Sequence, residues 1–330
     1  MSVQITIIGL GQVGTSIGLA LAGQKNIKRV GHDKDNEAAR QAQKAGAVDE
    51  IKLNLPSSVS EANVIILSMP LSEIRETLGY IAQGLQDGAV IIDTAPAKAT
   101  VAAWVKELIP QGRHYIGLTP AAGAEYLHGV EFGVASARAD LFRNGLFLVN
   151  ALHGTPESAL KLALNLIEML GARAMLSDEI EADGLLASTH ILPQLIAAAL
   201  IDSTMDQPGW REAGRLAARP YATVTAGLAY HDDAKSLSLA TFGNRENVAR
   251  ILDAYMLSLK ELRDKIKDSD EETVATFLED AFQARIRWFD ERHQADWDGA
   301  QAQNSEIPST GSLLNQMFFG NLTARSKKSK

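Results

Sequence analysis

Gly9, Gly11 and Gly14 fall in the pattern G-x-G-x-x-G within VQITIIGLGQVGTSIGLALA. An apolar run precedes the motif and a helical one follows, the setting in which such glycines hold a dinucleotide pyrophosphate. The first glycine permits a tight turn, the second lets the backbone approach the phosphates, and the third lets helix and strand pack closely. The helix start, with Gln12 and Val13 behind Gly11, then offers backbone N–H groups to the anion. Asp33 closes the next apolar run, in VGHDKD, where a carboxylate can accept both hydroxyls of an adenosine ribose and would oppose a 2′-phosphate. NAD is therefore the expected cofactor, while Lys34 and Arg29 nearby keep NADP open. Two more apolar runs end in ILSMPLSEI and IIDTAPAKA. Met69, Pro70, Thr94 and Ala95 at those ends are expected to face the nicotinamide half.

A further stretch, YIGLTPAAGAEYLHG from Tyr115 to Gly129, is an apolar run that stops at a Thr-Pro loop. Such strand ends are a usual place for chemistry in α/β proteins. The side chain on offer is Thr119, whose neutral hydroxyl can hydrogen-bond but is too weak a base to take a proton near neutral pH. Two histidines are candidates to act in its place: His128 in the same stretch, and His190 in LLASTHILPQLIAAALI. Each also reads as an ordinary structural or surface histidine. The chain contains no cysteine, which excludes disulfides, thiolate metal sites and cysteine nucleophiles, and no metal site is expected.

These residues need a scaffold, and the first half of the chain supplies the pattern of one. Short β-branched runs at 3–8, 29–32, 64–67, 89–92, 115–118 and 146–149 alternate with amphipathic helical stretches, and a last short strand is expected at 172–176. Most runs are continuously apolar, as in a parallel sheet covered on both faces. The expected fold is α/β, a Rossmann-type doubly wound sheet over residues 1–177. Beyond it the strand signal stops, and helices are expected at about 180–205, 209–230, 233–265 and 269–293. They form an all-α domain over 178–300 that is expected to build a homodimer core, with a polar and basic tail at 301–330. Of the 330 residues 46% are apolar and 22% charged, and the net charge of −8 argues against a nucleic-acid partner. The absence of cysteine and of a basic n-region at the start points to the cytoplasm. The apolar stretch around His190 is interrupted by Pro193 and Gln194 and reads as a buried helix, so no membrane partner is expected.

With GLGQVGTSIGLAL, GHDKD, PAAGAE, GVEF, HILPQLIAAAL and NRENVARILDAYMLSLKELRDKI together, the chain resembles the prephenate/arogenate dehydrogenases of tyrosine biosynthesis over most of its length. That resemblance implies oxidative decarboxylation of a carboxylated cyclohexadienol. Hydride leaves the ring carbinol carbon for NAD(P)+, the ring carboxylate leaves as CO2, and aromatisation drives the step. The family carries a base in a His-Pro-x-Ala-Gly loop; here Thr119 stands in the His position of Thr119-Pro120-Ala121-Ala122-Gly123. Its Gly-Ser-Val-Lys becomes Ala95-Pro96-Ala97-Lys98, with Pro96 in place of the Ser that orients the His. Two coupled members are missing together, which implies an altered mechanism. The family's Ser-His-x-Pro-His aligns on Pro193, so that Gln194 replaces the second His and His190 lies one position early. One residue on a helix is about 100° of rotation, which would turn His190 from the substrate face. Gly123, Gln194 and Arg219 are the implied substrate contacts, Arg219 with Arg215 forming the i, i+4 pair of GRLAARPY.

Three readings share NAD binding: a dehydrogenase of this family with a displaced base, a dehydrogenase or reductase for another carboxylated alcohol or imine, and a catalytically silent NAD-binding protein. Arg219 in the cleft would favour the first two, and an apolar cleft without arginine the third.

Overall fold

The computed structural model describes residues 2–129, 132–228 and 233–297. Eight strands form one sheet: β1 (Val3–Ile8), β2 (Ile27–His32), β3 (Glu50–Ile51), β4 (Val64–Leu67), β5 (Val90–Asp93), β6 (His114–Ala121), β7 (Leu146–Ala151) and β8 (Arg173–Ser177). Their order is β3-β2-β1-β4-β5-β6-β7-β8, so the chain reverses direction across the sheet between β1 and β4. The crevice outside the strand ends at that switch point is where an open α/β sheet binds its ligand. Helices α1 (Gln12–Ala20), α2 (Asn36–Lys44), α3 (Leu55–Val59), α4 (Leu71–Ile81), α5 (Lys98–Leu108) and α6 (Glu157–Met169) accompany the strands. The doubly wound domain is thus as the periodicity predicts, with β3, only two residues long, too short to leave a pattern.

The expectation of a parallel sheet fails at one pairing. β7 runs antiparallel to β6, with Thr119 opposite Leu148, and β8 runs parallel to β7. A parallel return needs a crossover, usually a helix. Between Ala121 and Leu146 the described chain makes only two short 3-10 turns, so it comes back along the same edge. The run that becomes β7 is as apolar as its parallel neighbours, because both of its faces are covered; direction leaves no mark on such a strand.

After β8 the chain is helical: α7 (Glu179–Leu186), α8 (Leu192–Met205), α9 (Trp210–Leu216), α10 (Arg219–Thr225), α11 (Ala234–Gly243), α12 (Arg245–Lys267) and α13 (Glu271–Gln294). The helix expected over 209–230 is split between Leu216 and Arg219, where Pro220 cannot continue a helix but is tolerated in the first turn of the next. The one expected over 233–265 breaks at Asn244. A π-helical turn over Ala187–Ile191 joins α7 to α8, so Glu179–Met205 is one continuous helical element of 27 residues. By length and composition alone this element could cross a membrane, although its apolar stretch is interrupted by Pro193 and Gln194. What it does in the fold is different. Asp183 inside it is buried, and its carboxylate accepts the backbone N–H groups of Lys98 (2.8 Å) and Ala99 (3.2 Å) at the start of α5. Asn244 donates to the Asp183 carbonyl at 2.6 Å.

Two main apolar cores lie on either side of the sheet. One, with Ile7, Leu10, Phe142 and Phe147, belongs to the sheet domain alone. The other runs from Leu67, Ile91 and Val101 into Ala187, Ile191, Ala240 and Val248, and so binds the helical part to the sheet. Farther out the helices are uncovered: α12 buries only Val248, and α13 buries nothing. The expected tail at 301–330 lies outside the described residues.

Candidate active site

The switch-point crevice opens into a cleft of about 990 Å³ between the sheet and the helical part. Its floor is the glycine turn. Gly9 has φ of +91°, and a Cβ there would lie 2.2 Å from the Ser68 carbonyl oxygen, so both conformation and space demand glycine. A Cβ on Gly14 would meet the Gly9 carbonyl oxygen at 2.0 Å, which fixes how closely α1 docks on β1. Gly11 differs: nothing lies within 4 Å of its would-be Cβ, and its φ of −73° suits any residue. Its constraint is therefore not internal packing, and it fits the close approach of a ligand from the open side. The start of α1 carries no side-chain cap and no acidic residue in its first turn, which leaves its dipole free for an anion.

Asp33 ends β2 at the edge of this floor. Its Oδ2 accepts the Leu10 N–H at 2.6 Å and its Oδ1 the Asp35 N–H at 2.8 Å, so the carboxylate is fixed, with lone pairs to spare for hydroxyl donors. Arg29, which sequence alone leaves close to Asp33, is taken out of contention. It is buried and donates to the Gly18 and Gly46 carbonyls and to Asp49. Lys34 does line the cleft, paired with Glu73 on α4. Val13, Met69, Pro70, Thr94 and Ala95 line it too, and so does Gln12, whose amide also donates to the Ser136 carbonyl. The Thr94 hydroxyl is spent on the Leu67 carbonyl at 3.3 Å.

The far wall holds the remaining candidates. Thr119, near the end of β6, lines the cleft and donates from Oγ1 to the Ala95 carbonyl at 3.2 Å. Pro96 is its neighbour on the lining. Thr189, His190, Pro193 and Gln194 line the same cleft from the helical part. His190 is thus on the lining although it lies one position early against Pro193, and it sits in a π turn, where the Leu192 N–H reaches back to the Ala187 carbonyl, five residues earlier. Gln194 donates to the His190 carbonyl at 3.0 Å, tying the two positions together. Three expected contacts are not brought here. His128 stacks on Phe289 of α13, ring centroids 5.6 Å apart, and is not on the cleft wall. Arg219 is exposed at the start of α10, outside the lining, as is Arg215 at the end of α9. Gly123 serves packing, since a Cβ there would come within 2.5 Å of the Arg143 carbonyl oxygen. Among the described lining residues Lys34 is the only lysine or arginine.

Beneath Thr119 lies a buried polar group that sequence reasoning passed over. The fully buried Lys98 ammonium donates to Asp93 at 2.9 Å and to the Leu118 carbonyl at 3.3 Å, and the Tyr115 hydroxyl donates to the other Asp93 oxygen at 2.6 Å. Asp93 also accepts the Ala95 N–H at 2.9 Å. Burial holds the Lys98 ammonium below its ordinary range against the pull of Asp93, and burial, with Asp93 beside it, holds the Tyr115 phenol well above its own. The group welds the ends of β5 and β6, from which Ala95 and Thr119 enter the cleft. The only sequence signal was a pair of charges, Asp93 and Lys98, flanking an apolar loop.

Residues 17–176 match the family model for the prephenate dehydrogenase nucleotide-binding domain. Prephenate dehydrogenase of Bacillus subtilis (strain 168) is 25% identical over 280 residues, spanning 84% of this chain and 74% of that one. Prephenate dehydrogenase of Lactococcus lactis subsp. cremoris is 27% identical over 292 residues, 86% of this chain and 76% of that one. Over most of its length the chain is similar to these prephenate dehydrogenases, and its first domain to their nucleotide-binding domain. The crystal structure of the prephenate dehydrogenase from A. aeolicus, solved with hydroxyphenyl propionate and NAD+, shares the fold with a TM-score of 0.75 at 20% identity, over 87% of this chain and 98% of that one. The likeness to these dehydrogenases makes the protein an oxidoreductase with a nucleotide-binding first domain. The family match begins after the glycine turn, so that turn rests on its own geometry. Gly11→Val is expected to fold normally and to weaken NADH binding strongly, measured by calorimetric titration, since its side chain would fill the open approach. Unchanged binding in the folded variant would show that the dinucleotide lies elsewhere.

Proposed function

We propose that the protein oxidatively decarboxylates a prephenate- or arogenate-type cyclohexadienol with NAD+, using His190 as the base that the loop at Thr119 lacks. The observation that carries the reading is the shared cleft, which the glycine turn, Asp33, Thr119 and His190 all line. Bound NAD+ supplies the hydride acceptor. The chain's own residues do the rest. Gly9, Gly11 and Gly14 admit the pyrophosphate, and Asp33 takes the ribose hydroxyls. The His190 imidazole takes the proton of the ring hydroxyl as hydride leaves the carbinol carbon, and loss of CO2 completes the aromatic ring. Thr119 orients that hydroxyl, and Gln194 donates to a substrate carboxylate. The family relationship and the cytoplasmic character of a cysteine-free chain support a place in tyrosine biosynthesis.

One observation favours another reading, a catalytically silent NAD-binding protein: no arginine lines the cleft among the described residues. Such a cleft would also suit a less anionic alcohol or imine better than a dicarboxylate. Purified protein is incubated with NAD+ and either prephenate or arogenate. NADH formation with one of the two supports the first reading; its absence from both, in protein that binds NADH, removes it.

The active unit in this proposal is a homodimer. Leu257, Phe277, Phe282 and Trp288 on α12 and α13 are among many large apolar side chains left exposed, and monomers rarely leave such patches bare. Sedimentation at micromolar concentration should give twice the mass of one chain, and a monomer under those conditions would refute the assembly.

A further inference from the structure

We propose that Glu73 sets the cofactor preference of this cleft: by holding the Lys34 ammonium it denies a 2′-phosphate the cation it would need. The inference rests on the NAD reading above and names the residue that enforces it.

Lys34 follows Asp33 at the end of β2, the place where the adenosine ribose is expected, so a phosphate on the ribose 2′-oxygen would meet these two side chains first. Lys34 is the only cationic side chain among the described lining residues, and Arg29 is committed to Asp49, Gly18 and Gly46. A free lysine there would be a ready phosphate partner. It is not free. Glu73, in the first turn of α4 beyond the end of β4, pairs with it. The Lys34 side chain keeps 75% of its surface and Glu73 31%, so the pair sits at the mouth, where a ligand could compete for it. Three carboxylates bear on this ammonium, Glu73 by contact and Asp33 and Asp233 through space, and the contact with Glu73 is the main cause that holds it above its ordinary range. A 2′-phosphate would have to displace Glu73 from Lys34 while facing Asp33. A free 2′-hydroxyl disturbs nothing and can donate to Asp33.

The test measures binding, not turnover. NADH and NADPH are titrated by fluorescence against the wild type, Glu73→Gln, Lys34→Ala and the double variant. The wild type should prefer NADH. Glu73→Gln should raise NADPH affinity relative to NADH by about tenfold or more, the scale of one released charge-assisted contact, without reversing the preference, because Asp33 remains. Lys34→Ala should leave the wild-type ratio little changed, and added to Glu73→Gln it should abolish the gain. An unchanged ratio in Glu73→Gln, or a gain that survives the loss of Lys34, would overturn the role of Glu73 alone. Tighter NADPH than NADH binding in the wild type would overturn the NAD reading beneath it.

Discussion

His190→Asn is expected to lower turnover of the cyclohexadienol by ~10²–10⁴, the range a general base supplies, while leaving NADH binding as it was. The expectation follows from the cleft's inventory. Thr119 occupies the loop from which the family's imidazole acts, and its hydroxyl already donates to the Ala95 carbonyl. His128 is turned to Phe289. Of the two histidines among the described lining residues, His32 sits at the end of β2 with its Nδ1 on the Lys52 carbonyl, at the ribose end, which leaves His190. Asn keeps a polar side chain of similar reach and cannot take up the proton, so the fall belongs in kcat. Thr119→Ala should cost far less. A His190→Asn enzyme turning over within a few-fold of the wild type would remove the imidazole from the mechanism.

Lys98→Met is expected to destabilise the fold by ~3–5 kcal/mol, the cost of leaving a buried charge without its partner. The methionine fills similar space, but Asp93 would keep only the Tyr115 hydroxyl and the Ala95 N–H. Removing both charges at once, with Asp93→Asn added, should recover part of the loss, because the penalty lies in the unpaired charge and not in the absence of a pair. Equilibrium denaturation in urea measures both variants. A single variant that loses less than about 1 kcal/mol would mean that the Asp93 carboxylate is protonated or solvated when alone.

The glycine turn and Asp33 were legible because each residue is demanded locally: Gly9 by its φ, Gly14 by its neighbour's carbonyl, Asp33 by its place at a strand end. The strands were legible because burial on both faces writes itself as continuous apolar runs. What stayed hidden depends on partners far away in the chain. The direction of β7 is set by what precedes it, not by its own residues. Glu73 looks like any solvent-facing residue in a first helical turn until α4 brings it to Lys34. Asp183 reads as a blemish in an apolar helix, and only the fold shows it capping α5 from the other domain. The π turn is the clearest case: His190 reads as one position early on a regular helix, and no residue in the stretch announces the wider turn in which it sits.

The reversal at β7 has a bearing on how this kind of enzyme can change. Because the chain returns antiparallel, the connection leaves β6 at Ala121 and enters β7 at Leu146 at the same end of the sheet. Ala122, Tyr126, Leu127, Gly129, Leu141 and Phe142 all reach the cleft from it. A residue gained or lost there lengthens or shortens the wall of the pocket while the register of β6 on β5, and the dinucleotide floor, stay where they are. The substrate wall is in effect a replaceable part mounted on a fixed frame, so a lineage can trade one ring acid for another by editing a single surface segment.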